Sequence, residues 1–206
     1  MKNKAISISA CQQALLECED CFLKEELTCE FQRKDGIIFN LTSLIYAVPS
    51  ILGMILAGFW LWLIGYIAYW LFFQFIWENR VFCSHCPHYN QDEKKIRCYG
   101  NSGIPRFFQY HPEPMSISEK IQFLVGISIL VIFPIPFLIL AEQYLLLLIT
   151  IIGITIWIGF QLTRMCTRCI NFSCPLNRVS KNLRDEFLKH NEVMRKAWEE
   201  KGYKIN

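Results

Sequence analysis

The sequence predicts an all-α integral membrane protein: four transmembrane helices as two hairpins, with cytoplasmic cysteine-rich loops and an amphipathic C-terminal helix. Three observations carry that expectation. Of 206 residues, 53% are hydrophobic and 19% charged, less charge than a soluble domain of this length holds. Residues 36–77, 121–141 and 143–163 contain no charged side chain. All 21 Lys and Arg residues fall in 1–36, 78–120 and 164–206.

A spanning helix needs about 20 apolar residues. The first charge-free run therefore holds two spans, near 38–56 and 60–77, and the others hold one each, near 121–141 and 144–163. The first hairpin (37–77) has to turn near Ala57-Gly58, because a single helix of that length exceeds any bilayer. The second (121–163) turns at Ala141-Glu142-Gln143. Neither tip carries Lys or Arg. The positive-inside rule then places the N-terminal segment (1–36), the middle loop (78–120) and the C-terminal tail (164–206) in the cytoplasm of a multi-pass cell-membrane protein. The lipid bilayer is its first partner, and oligomerisation is left open. Ile8-Ser9-Ala10-Cys11 looks like a lipoprotein box, but the apolar stretch before Cys11 is shorter than the roughly 7–15 residues of a signal core. An ordinary cytoplasmic N-terminus is expected.

Within the spans there is no Asp, Glu, Lys, Arg or His, which tells against ion pumps and proton-coupled transporters. Gly53 and Ala57 form a small-xxx-small pair for close helix packing. Pro134 and Pro136 are expected to kink the third span. The second span is aromatic (Trp60, Trp62, Tyr66, Tyr69, Trp70, Trp77), which suits interfacial and lipid-facing anchoring, with a quinone or lipid pocket as the alternative.

All ten cysteines lie outside the spans: Cys11, Cys18, Cys21, Cys29, Cys83, Cys86, Cys98, Cys166, Cys169 and Cys174. The cytoplasm keeps thiols reduced, so clusters there read as metal-binding or redox groups, not as a disulfide framework. Cys18/Cys21, Cys83/Cys86 and Cys166/Cys169 share CxxC spacing. That spacing lets one tight turn present two thiolates, and zinc takes four such ligands in a tetrahedron. Cys83 and Cys166 are 83 residues apart, as are the hairpin starts near 38 and 121, so a tandem repeat is expected. Its symmetry would join Cys83, Cys86, Cys166 and Cys169 in one bridging site. Competing sets are Cys83, Cys86 and Cys98 with His85 or His88, and Cys166, Cys169 and Cys174 with a borrowed fourth ligand. Cys86-Pro87 and Cys174-Pro175 suggest iron–sulfur ligation, although C-x₂-C-x₄-C-P is not the ferredoxin run. Zinc is the expected cofactor and an iron–sulfur cluster the alternative.

Residues 8–34 read as a helix on which Cys11, Cys18 and Cys29 lie nearly in line, with Cys21 about a quarter turn away. They form a weaker ligand group, or the packed face of that helix together with Leu15 and Phe22. Glycines and prolines make 99–115 a loop, and Ser116 with Glu119 is a capping box that starts the third span. Pro105-Arg106-Phe107-Phe108 is expected to anchor at the membrane interface, with contact to a bound substrate as the alternative, and His111 is assigned no catalysis. Residues 176–200 read as one amphipathic helix with Leu176, Val179, Leu183, Phe187, Met194 and Trp198 on one face, docked on the membrane or on the cysteine loops. Its basic residues are diluted by Glu186, Glu192, Glu199 and Glu200, so no nucleic acid is expected.

No P-loop, GxGxxG, HExxH or GxSxG is present. The layout of four spans with a cysteine-rich cytoplasmic loop between the second and third resembles protein palmitoyltransferases. The loop reads CSHCPHY and lacks the DHHC tetrad, so that activity is not carried over. The leading expectation is a non-enzymatic membrane protein whose zinc-thiolate module is structural or binds a protein partner at the cytoplasmic face. The competing expectation is a membrane oxidoreductase that uses an iron–sulfur centre or CxxC thiols. A metal sensor or trafficking protein comes third.

Overall fold

Lipid offers no partner for backbone N–H and C=O groups, so charge-free runs of this length become helices. The computed structural model describes residues 22–29, 32–90 and 95–205. Its helices are α1 (Phe22–Glu26), α2 (Arg33–Leu56), α3 (Trp60–Phe72), α4 (Glu78–Val81), α5 (Ile117–Ile132), α6 (Pro134–Leu140), α7 (Tyr144–Phe160), α8 (Lys181–His190) and α9 (Glu192–Glu200). Single π-helical turns, Phe73–Trp77 and Gln161–Met165, follow α3 and α7. Four segments are long and apolar enough to cross a membrane: Arg33–Leu56, Trp60–His85, Ile117–Leu140 and Tyr144–Met165. Among the described residues there is no strand, only an isolated bridge between Lys95 and Pro105. The protein is an all-helical multi-pass membrane protein.

Sequence signals explain the element ends. Gly58, at φ 72°, takes the left-handed turn between the first two spans, where a side chain is disfavoured. Ser116 and Glu119 form the reciprocal cap of α5. Pro134 opens α6, dividing the third span where a kink was expected.

Small residues decide which spans meet. A side chain at Gly153 would come within 2.9 Å of the Ile45 carbonyl oxygen, so α7 lies directly on the backbone of α2. Thr150 and Trp157 share that face, against Ser50 and Tyr46. Gly126 of α5 accepts the Phe73 ring in the same way, and the Tyr66 hydroxyl donates to the Leu130 carbonyl at 2.9 Å. Leu138 of α6 fills the notch at Gly53. The molecule thus has two tight pairs, α2 with α7 and α3 with α5, joined through α6.

Two expectations fail. The helix expected over 8–34 is interrupted within the described residues: α1 ends at Glu26 and α2 begins at Arg33. The Thr28 N–H goes to the Arg168 carbonyl at 2.8 Å, and the Arg168 guanidinium takes the carbonyls of Glu25 and Glu26. Tertiary partners replace the helical ones. The single helix expected over 176–200 is two helices, because the Asn191 side chain accepts from the Met194 N–H and caps a new start. Their apolar faces pack Phe187, Met194 and Trp198 onto Leu23, Leu27 and Phe172. The tail therefore docks on the cysteine-bearing segments.

Candidate functional site

Beyond the first π turn the chain tightens into two 3₁₀ turns, Cys83–His85 and Pro87–Asn90. The Cys86 N–H closes the CxxC turn on the Cys83 carbonyl at 3.0 Å. Residues 95–105 fold back on themselves, with the Ile96 N–H on the Ile104 carbonyl. After the second π turn, Asn177 Nδ2 clamps the carbonyls of Cys169 and Asn171 at 2.7 and 3.0 Å. Asn171 Nδ2 crosses to the Phe82 carbonyl at 3.1 Å, a direct bond between the two cysteine loops.

Cys83, Cys86, Cys98, Cys166, Cys169, Cys174 and His88 all line one cavity of 530 Å³ at this end of the bundle. Four of the sulfurs share a further feature. Cys98 accepts the Asn101 N–H at 3.2 Å and Cys174 the Leu176 N–H at 3.4 Å, and the backbone N–H groups of His88 and Asn171 act on Cys86 and Cys169 in the same sense, favouring the thiolate. Each donor lies two or three residues downstream, the geometry of a thiolate knuckle. Tyr99 adds its hydroxyl to Cys169. Cys83 instead takes the Asn101 side-chain amide at 3.1 Å.

Burial holds these thiols protonated in the absence of a counter-charge. It raises Cys98 to about 12 and Cys166 to about 11, and it raises Cys86, Cys169 and Cys174 as well. Neighbouring sulfurs reinforce the effect: Cys169, Cys98 and Cys174 act on Cys86. His88 donates from Nε2 to the Thr28 carbonyl at 2.9 Å, and burial lowers its pKa to about 4, so it is neutral.

His85 points elsewhere. Its Nδ1 meets the Glu113 carbonyl at 2.8 Å and its Nε2 the Glu119 carboxylate at 3.3 Å. Cys29 is buried and disulfide-bonded, so the expectation of reduced thiols does not hold there. Cys11, Cys18 and Cys21 lie outside the described residues. Among the described residues no three Cys, His, Asp or Glu side chains converge, as placed, into a metal-holding group. The cysteines surround the cavity without meeting at one point.

Sequence reasoning missed the asparagines. Cys98-Tyr-Gly-Asn101, Cys169-Ile-Asn171 and Cys174-Pro-Leu-Asn177 repeat a cysteine followed closely by Asn, and each Asn braces a knuckle. That recurrence was the available signal. Gln161 and Trp157, also on the cavity wall, had none beyond their places in a span.

No known family model matches the chain, and neither a curated protein nor a solved structure shows significant similarity to it.

Proposed function

We propose that the cavity binds a thiophilic divalent cation, zinc first, and that this ion staples the loop after the second span to the loop after the fourth. The observation that carries the reading is the set of four knuckle sulfurs, Cys86 and Cys98 from one loop and Cys169 and Cys174 from the other, around one cavity. Backbone N–H donors stabilise thiolate, but thiolates this close repel unless a cation lies between them. Zinc takes four such ligands, and binding would require these cysteine side chains to turn in toward the cavity. His88 is a neutral imidazole beside them, and Cys83 and Cys166 flank the set. The protein is then a membrane scaffold with a metal-fastened face for a partner, on the cytoplasmic side by the distribution of Lys and Arg.

The repeat belongs to the same proposal. Trp60 and Tyr144 open the second and fourth spans 84 positions apart, and each of these spans ends in a π turn before a CxxC. A duplicated hairpin accounts for both.

The test is anaerobic purification without a His-tag, with metal per chain and the visible spectrum measured together. One zinc per chain and no colour supports the reading, provided that Cys86→Ser and Cys169→Ser each abolish it. Iron with absorbance near about 400 nm would replace zinc by an iron–sulfur centre and electron transfer. Absence of metal from fresh protein would overturn the proposal. A C-terminal fluorescent-protein fusion should fluoresce and a phosphatase fusion should be inactive; the reverse pattern would place the cysteines outside.

A further inference from the structure

The cavity does not end at the cysteines. α5 leans on the second span through Gly126 and the Phe82–Phe123 stack at 4.3 Å, whereas α7 lies on α2 through Gly153. Although both belong to one hairpin, the hairpin's close packing is between α6 and α7 at its tip, and α5 and α7 make no extended contact. Between them the cavity runs down to Ile135 and Ile151, walled by Ile127 and Val131 on one side and Ile154 and Ile158 on the other. From Gln161 to Ile151 is ten residues of helix, about 15 Å, or half the hydrocarbon core. Ile151 and Ile158 are 45% and 42% exposed, so the wall is unfilled by protein.

Where the cleft meets the cysteines, two donors have no partner: Trp157 Nε1 and Gln161 Nε2, both buried and each in a residue only 8% exposed. Buried donors are nearly always satisfied, so such a pair marks where an acceptor belongs. The lining contains no Lys or Arg, and Glu78 is its one carboxylate, so a phosphate head is unmatched. The rings of Phe39, Tyr99, Phe123 and Trp157 supply flat apolar walls beside the donors.

We propose that this cleft binds a neutral amphiphile of the quinone class from the bilayer, with its single apolar tail between α5 and α7 and its ring carbonyls accepting from Gln161 and Trp157. A volume of 530 Å³ is within the range of small-molecule sites. The proposal concerns binding alone and stands whether or not the cysteines hold a metal.

The test is equilibrium dialysis of decylubiquinone against the full-length protein in phosphatidylcholine nanodiscs, with empty nanodiscs as background and metal content measured on the same samples. Saturable binding of about one per chain is expected. Gln161→Leu should weaken it about tenfold, the effect of one buried hydrogen bond. Ser128→Phe, which fills the cleft, should abolish it, while Leu145→Phe, on the lipid-exposed surface, should bind as wild type and control for folding. Uptake equal to empty nanodiscs, unchanged binding in Ser128→Phe, or displacement of decylubiquinone by equimolar diacylglycerol or anionic phospholipid would overturn the proposal. Because metal is scored separately, a failed cleft and a failed thiolate site give different results.

Discussion

Asn171→Ala tests whether the two cysteine loops are held together as the structure shows. Asn171 is 2% exposed. Its Nδ2 donates to the Phe82 carbonyl across the loops, and its Oδ1 accepts from the Ser173 hydroxyl at 3.1 Å. The alanine variant keeps the backbone N–H that serves Cys169 but removes the cross-loop donor to the Phe82 carbonyl, which retains only the local His85 N–H at 3.3 Å. The variant loses two buried hydrogen bonds, each worth about 0.5–1.5 kcal/mol, or about 1–3 kcal/mol together. Ser173 is able to rotate and recovers part of its loss, so about 2 kcal/mol is the working figure. For a chain of this size each kcal/mol moves Tm by about 2–4 °C, which gives a drop of about 4–8 °C. The assay is a thermal scan in detergent with a thiol-reactive fluorophore, which reports the moment the buried cysteines open. Ser173→Ala, which removes only the bond to Asn171, should fall by less than half as much. An Asn171→Ala midpoint within about 1 °C of wild type, against the drop expected from such a loss, would refute the view that this bond ties the loops.

Gly153→Ala should separate α2 from α7, since the added carbon meets main-chain atoms at 2.9 Å that have no rotamer to yield. Overpacking of this kind costs about 1–3 kcal/mol, read as a lower melting midpoint, and an unchanged midpoint would mean that the two helices do not meet there. Trp198→Ala should free the tail. The indole donates to the Pro112 carbonyl at 3.1 Å and meets Phe172 and Tyr203 edge-on. A loss of about 3–5 kcal/mol is expected for such a truncation, seen as new protease cleavage between 176 and 181 with the spans intact. A digestion pattern identical to wild type would show that α9 is not docked through Trp198.

The spans were legible because lipid imposes one rule on the whole segment: no charge and a continuous helix. The Ser116 cap was equally legible, since its signal is local. What stayed hidden was whatever depends on a distant partner. Nothing near residue 28 announces that Arg168 takes the carbonyls of Glu25 and Glu26 and ends the helix there. Asn191 reads as a mild interruption of an amphipathic stripe until its side chain is seen capping α9. His85 and His88 are indistinguishable as ligand candidates by spacing. Their roles separate only because the capping residue Glu119 draws His85 toward α5, while the Thr28 carbonyl holds His88 at the cavity.

The place of the cysteines follows from how the spans associate. In lipid no hydrophobic force presses helices together, and small residues do that work through close packing. Here Gly153 joins α2 to α7 and Gly126 joins α5 to the second span. Both contacts run between hairpins, and neither draws α5 toward α7. The result is a bundle that stays open along one seam from Ile151 to Gln161, with the cysteine loops at its wide end. The bond from Asn171 to Phe82 is one bridge, and the four knuckle sulfurs surround the same gap. A cation bound there would set the width of the seam, and an amphiphile in the seam would press on the cation site from below. Metal content and quinone binding measured on the same samples then test whether the two sites are coupled: if they are, each ligand must change the affinity of the other by the same factor.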